Sequence, residues 1–193
     1  MSEAGPSRGR PLLWVVCGAG RGVGKTHLAR ALCQVLPGSA YAKQGASQAR
    51  AGKAESFFHT DEEIDAHLAR AAEAGHRHLV VESNSLALRG KGDIVIFLGG
   101  EVSAGAHGPE ATGSQGHRAQ GGQSGGHHAP RGARPDAGRL RSLAQVVLDP
   151  EGPPAAPAAW NELLKRKGLE PEVVAPVLEV LAAQAEWTGR ARE

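Results

Sequence analysis

The residues with the clearest chemical potential are Ala19-Gly20-Arg21-Gly22-Val23-Gly24-Lys25-Thr26. They match the phosphate-binding loop pattern, with alanine in place of its first glycine. Gly20, Gly22 and Gly24 allow a tight backbone path that turns successive N–H groups toward one anion. Lys25 would put a point charge on terminal phosphates, and Thr26 would offer its hydroxyl to Mg²⁺. Arg21, inside the loop, is the candidate internal arginine finger. The plainer alternative for it is a side chain in solvent or paired with an acid. Lys25 and Arg21 are therefore the catalytic candidates, and Ala19 to Thr26 the candidate nucleotide cradle.

Such a loop works with an acid at the end of a neighbouring strand, which holds Mg²⁺ directly or through water. Glu82, closing His78-Leu79-Val80-Val81, fills that role, with a structural salt bridge as its alternative. Thr26 and Glu82 form the candidate metal pair. Ser83, Asn84 and Ser85 would follow at the strand's carboxyl edge, with polar side chains toward the cleft. Asp93 opens a strand at the opposite end and reads as a turn residue.

These residues need elements to position them. Leu12–Cys17 is a short continuous apolar run, the mark of a strand buried on both faces. Thr26–Leu36 carries apolar residues at helical spacing until Pro37-Gly38. Ala40–Lys43 is a weak second strand, and Gln44–Ser56 reads as loop. Asp61–Glu73 reads as a helix capped by Thr60 or Asp61. His78–Glu82, Asp93–Leu98 and Gln145–Leu148 are further strands, and Ala158–Lys167 and Glu172–Trp187 further helices. Trp14 belongs in the core, and Trp160 and Trp187 read as packing anchors. Alternating strands and helices indicate an α/β domain with a mostly parallel sheet between two helical layers. Ligands in such folds lie beyond the carboxyl ends of the strands.

The order of strand, Gly-Lys-Thr loop, helix, strand ending in Lys43 and strand ending in Glu82 resembles a known group. These are the P-loop GTPase-type proteins related to the molybdopterin-guanine dinucleotide biosynthesis adaptor, the MobB-like family. The wider group includes metal-insertion GTPases and dethiobiotin synthetase-like enzymes. Phe57-Phe58-His59-Thr60-Asp61 and Val81-Glu82-Ser83-Asn84-Ser85-Leu86, followed by Asp93-Ile94-Val95-Ile96-Phe97, fit it best. The resemblance covers Leu12–Gly99, with Gln145–Pro150 as an extension. It implies a three-layer P-loop NTPase fold and a slow Mg²⁺-dependent GTPase acting as adaptor in molybdenum-cofactor biosynthesis or a related pathway. Lys43 would line the cleft near nucleotide or substrate, and Glu82 would support Mg²⁺. There are departures: no Asp-x-x-Gly follows the Mg²⁺ strand and no Asn-Lys-x-Asp reads guanine, so GTP against ATP stays open. Asp149 offers one acid for a guanine edge. Position 20, where the nitrogenase-reductase branch carries a lysine, is glycine. An ATP-dependent kinase or ligase, with Lys43 and Ser83–Ser85 orienting an acceptor, is the first rival reading.

Composition bounds the rest. The chain has 193 residues, with 22 Lys+Arg against 20 Asp+Glu, too balanced for a nucleic-acid or membrane-surface binder. Leu, Ile, Val and Phe together number 38, and none falls between Ser103 and Arg139. That Gly/His-rich segment reads as a structureless insertion in a single domain spanning 11–193, behind a flexible tail, 1–10. Its His107, His117, His127 and His128 suggest a metallochaperone as the second rival, against a plain linker. Cys17 and Cys33 fit no metal spacing and read as small buried hydrophobes in a reducing compartment. With no secretory pattern and no membrane-length run, the expected location is cytoplasmic. The expected partners are a nucleotide and a cofactor-biosynthesis enzyme, without nucleic acid or membrane. A homodimer is left open.

Overall fold

The computed structural model describes residues 9–45, 56–58, 60–100, 136–149 and 157–190. In chain order the elements are β1 (Leu12–Gly18), α1 (Lys25–Val35), β2 (Ser39–Gln44), β3 (Ser56–Phe58), α2 (Glu63–Glu73), β4 (His78–Glu82), α3 (Asn84–Leu88), β5 (Ile94–Leu98), α4 (Ala137–Leu143), β6 (Val146–Leu148), α5 (Pro157–Arg166) and α6 (Pro171–Arg190). The six strands form one sheet in the order β3-β2-β4-β1-β5-β6, and every neighbouring pair is parallel.

Strand alternation sorts the core into two halves. Trp14 and Val16 of β1 pack with Leu28 and Leu32 of α1, Trp160 and Leu164 of α5, and Val177 and Leu181 of α6. Leu13, Val15 and Cys17 face the other side, with Ile64 and Leu68 of α2, Leu86 of α3 and Leu140 of α4. The result is helix, sheet, helix. Each fully buried leucine or isoleucine contributes on the order of 2 kcal/mol, so both layers are needed to hold the sheet. Cys17 is buried and donates to the Ile96 carbonyl at 3.4 Å, and burial pushes its thiol up to about 12. It is an inert packing residue, as expected.

The carboxyl ends of β1 and β4 lie side by side, but the chain leaves them in opposite directions. After β1 it runs into α1 on one face; after β4 it runs into α3 on the other. The crevice between them is the topological switch point, where ligands bind in open parallel sheets.

Several expectations need correction. Gln44 and Ser56 are not loop: they end β2 and begin β3. The helix expected from Asp61 starts at Glu63, with no side-chain cap from Glu62. The insertion assigned to 103–139 stops earlier, because α4 already begins at Ala137. Leu140 anchors that helix from beyond the apolar-free stretch, so its first turn carries no hydrophobic signal of its own. The histidines at 107, 117, 127 and 128 lie outside the described residues, as do Met1–Arg8 of the tail and His59. No helix among the described residues is long and apolar enough to cross a membrane.

Candidate functional site

The glycine-rich run turns directly from β1 into α1. Gly22 and Gly24 take positive φ of 81° and 89°, backbone that a side chain resists, whereas Gly20 does not. Gly18 is required for another reason: a Cβ there would lie 2.9 Å from the Leu98 carbonyl. Val23 is buried beneath the loop, and Arg21 is exposed at its tip. Lys25 folds back so that Nζ donates to the Gly20 carbonyl. The Asn84 side chain spans the crevice, accepting from Gly18 N–H at 3.1 Å and donating to Gly18 O at 2.9 Å. One amide thus pins the start of the loop to the end of β4.

Register then brings the other candidates together. Glu82 of β4 pairs with Lys43 of β2 and with Val16 of β1. Tyr41, Lys43 and Glu82 therefore share the face of the sheet on which α1 begins. Glu82 Oε2 accepts from Thr26 Oγ1 at 2.6 Å and Tyr41 Oη at 3.3 Å, and pairs with Lys43 Nζ at 3.0 Å. Lys43 Nζ also lies 3.2 Å from Thr26 Oγ1. Thr26, Lys43 and Glu82, placed on three elements by the sequence, form one cluster. Tyr41 was missed, although its i, i+2 spacing from Lys43 would have put both on one face. Burial, reinforced by the Glu82 carboxylate, raises its phenol pKa.

The opposite face carries a second polar cluster at the same edge. Asp61 is buried and accepts from Gln44 Nε2 at 2.7 Å and Ser85 Oγ at 2.8 Å, with Arg89 Nε at 2.5 Å. Burial alone would raise the Asp61 carboxyl pKa. The two hydrogen bonds and the Arg89 and Lys91 charges outweigh it and hold the carboxyl below its usual range. Ser83 donates to Gln44 Oε1 and accepts from Leu86 N–H at 3.0 Å, capping α3. Its hydroxyl is committed to structure, so Ser83 and Asn84 position the cleft rather than line it openly. Asp61 and Gln44 were missed as members of this edge, Asp61 because it reads equally well as a helix cap.

No family model, curated protein or solved structure matches the chain.

Two more expectations resolve here. Asp149 packs against Gly99 and pairs with Arg141 at 3.3 Å, so its carboxylate is engaged within the fold. Trp187 is no buried anchor: it is 48% exposed, and its ring edge lies against Gly24 of the loop. His78, at the amino end of β4 and far from this edge, accepts from Trp14 Nε1 at 3.4 Å.

Proposed function

We propose that the chain binds a nucleoside triphosphate with Mg²⁺ on the Ala19–Thr26 loop and hydrolyses it slowly. One observation carries the reading. A loop with two left-handed glycines leads from a central strand into a helix, Lys25 folded over it, and Thr26 bonded to Glu82 of the adjacent strand. Loop N–H groups and the start of α1 provide partial positive charge for phosphate oxygens. Lys25 exchanges the Gly20 carbonyl for a terminal phosphate, and Arg21, exposed above, is free to lean over it.

The donor set suits Mg²⁺: a hydroxyl and a carboxylate oxygen 2.6 Å apart, already holding the ammonium of Lys43. When bound, the ion supplies charge to the phosphates as their bond breaks. Slow turnover follows from the acids at this edge. Glu82 Oε2 already accepts from Thr26, Tyr41 and Lys43, and Asp61 is held ionised by Gln44, Ser85 and Arg89. Neither is poised to take a proton from water. GTP as nucleotide, and the role of adaptor in molybdenum-cofactor nucleotide attachment, follow the family resemblance.

The Asp61 network favours a second reading, an ATP-dependent kinase or ligase whose acceptor sits on that polar face. Acceptor-dependent release of ADP would select it. The shared premise is tested by thermal shift with Mg²⁺ and ATP, GTP or their diphosphates. The wild type should be stabilised, and Lys25→Ala should lose most of that shift. Equal stabilisation of both proteins refutes the phosphate loop.

A further inference from the structure

The seam between α1 and α6 holds a cavity of about 380 Å³ beside the glycine-rich loop. His27 and Ala31 line it from α1, and Val180, Gln184 and Trp187 from α6. Two of these residues are poorly explained by folding alone. Trp187 leaves 48% of its surface in solvent, although a ring of that size gains most from burial. Gln184 is only 3% exposed, and among the described residues its Nε2 is buried with no hydrogen-bond partner. An unpartnered buried amide costs stability, and a native structure keeps one where something else uses it. Both residues meet the loop at one point: a Cβ on Gly24 would lie 2.8 Å from Trp187 Cζ3 and 2.9 Å from Gln184 Nε2.

We propose that this cavity is the nucleobase subsite of the nucleotide, with a purine stacked on Trp187 and hydrogen-bonded to Gln184. The inference rests on the phosphate-loop reading. The loop passes into the first turn of α1, where His27 follows Thr26 and lines the cavity, so the proposed phosphate site and the cavity adjoin. A base needs a flat apolar face and a polar partner at its edge. Trp187 supplies the first, and stacking accepts any purine because each presents a π-face. Gln184 supplies the second. Its amide and the indole edge converge on Gly24, so a shift of the half-exposed indole would open the amide to the base. A half-turn of the amide presents either a donor or an acceptor, so the subsite takes guanine or adenine.

The test compares Mg²⁺·GTP and Mg²⁺·ATP with inorganic tripolyphosphate, which has the anion but no base. Affinities are measured calorimetrically for wild type, Trp187→Ala, Trp187→Phe and Gln184→Leu. Trp187→Ala and Gln184→Leu should each weaken nucleotide binding at least about tenfold, or ~1.4 kcal/mol, with tripolyphosphate affinity unchanged. Trp187→Phe should keep most of the affinity. Gln184→Leu should melt no lower than wild type, since it removes an unpartnered amide at similar volume. Nucleotide, but not tripolyphosphate, should quench a tryptophan signal that Trp187→Phe abolishes. Unchanged nucleotide affinity in both variants would overturn the subsite, and so would parallel loss of nucleotide and tripolyphosphate, which marks a structural brace. A wild type that binds tripolyphosphate as well as nucleotide removes the base subsite alone. A wild type that binds neither removes the phosphate loop as well.

Discussion

Lys43 is the residue on which the chemistry of the carboxyl edge turns. Its ammonium stands within 3.2 Å of Thr26 Oγ1 and 3.0 Å of Glu82 Oε2, the two oxygens a divalent cation would take. If Mg²⁺ binds there as proposed, it must displace this ammonium. Lys43→Met should therefore tighten Mn²⁺ binding in the absence of nucleotide by about tenfold, ~1.4 kcal/mol. Loss of the free Mn²⁺ electron paramagnetic resonance signal reads this directly, and equal affinities would rule out competition. Asn84 acts differently, through two hydrogen bonds to Gly18. Asn84→Ala leaves a strand-end N–H and C=O without their partner and should cost about 1–3 kcal/mol in denaturant unfolding. On the proposed function, nucleotide affinity should fall with it, because the loop loses its tie to β4.

At the scale of elements, the decisive contact is α6 against the loop that starts α1. Gly24 is both left-handed and in contact with Trp187 and Gln184, so Gly24→Ala should meet two separate penalties. The backbone penalty is about 1 kcal/mol or more, and the steric one depends on the indole yielding. The double variant Gly24→Ala/Trp187→Ala should recover only the indole's share of the steric part, with the Gln184 contact and the backbone penalty remaining, measured as a non-additive cycle in chemical denaturation. Full additivity would place Trp187 away from Gly24. The element α3 was not visible beforehand, because Asn84–Leu88 is five residues long and too short for a periodic signal. What fixes it is local: the Ser83 hydroxyl caps Leu86 N–H.

For the whole molecule, the two-sided core makes stability sensitive to pH at a point remote from the site. Burial, with Arg77 adding to it, pushes the His78 imidazole from 6.5 down to about 4. Between those values the unfolded chain binds a proton that the folded one refuses. This contribution is complete above 6.5 and is lost as pH falls toward 4. Protonation would also remove the acceptor used by Trp14 Nε1. Asp61, held below its usual range, adds a loss at still lower pH, as its carboxylate takes a proton. Denaturation midpoints at pH 7 and pH 5 should differ clearly in wild type and less in His78→Gln, which keeps an acceptor without titrating. An undiminished difference would assign the effect elsewhere.

The buried strands, the loop between β1 and α1 and the layered α/β class are legible from the order of residues alone. Each of these follows from local pattern: continuous apolar runs, glycines before a lysine, and the helical spacing of Leu28 with Leu32 and of Ile64 with Leu68. Which residues meet is set by the sheet. Strand order placed β4 between β1 and β2, and parallel register set Glu82 level with Lys43. The two-residue strand period then divided the edge, sending Tyr41, Lys43 and Glu82 to the α1 face and Gln44 and Ser83 to the other. Trp187 shows the same limit, since helical spacing cannot say that a helix's last turn overhangs a loop more than 160 residues earlier. Local propensity depends on neighbours in sequence, whereas a site is made by hydrogen bonds and packing between distant segments.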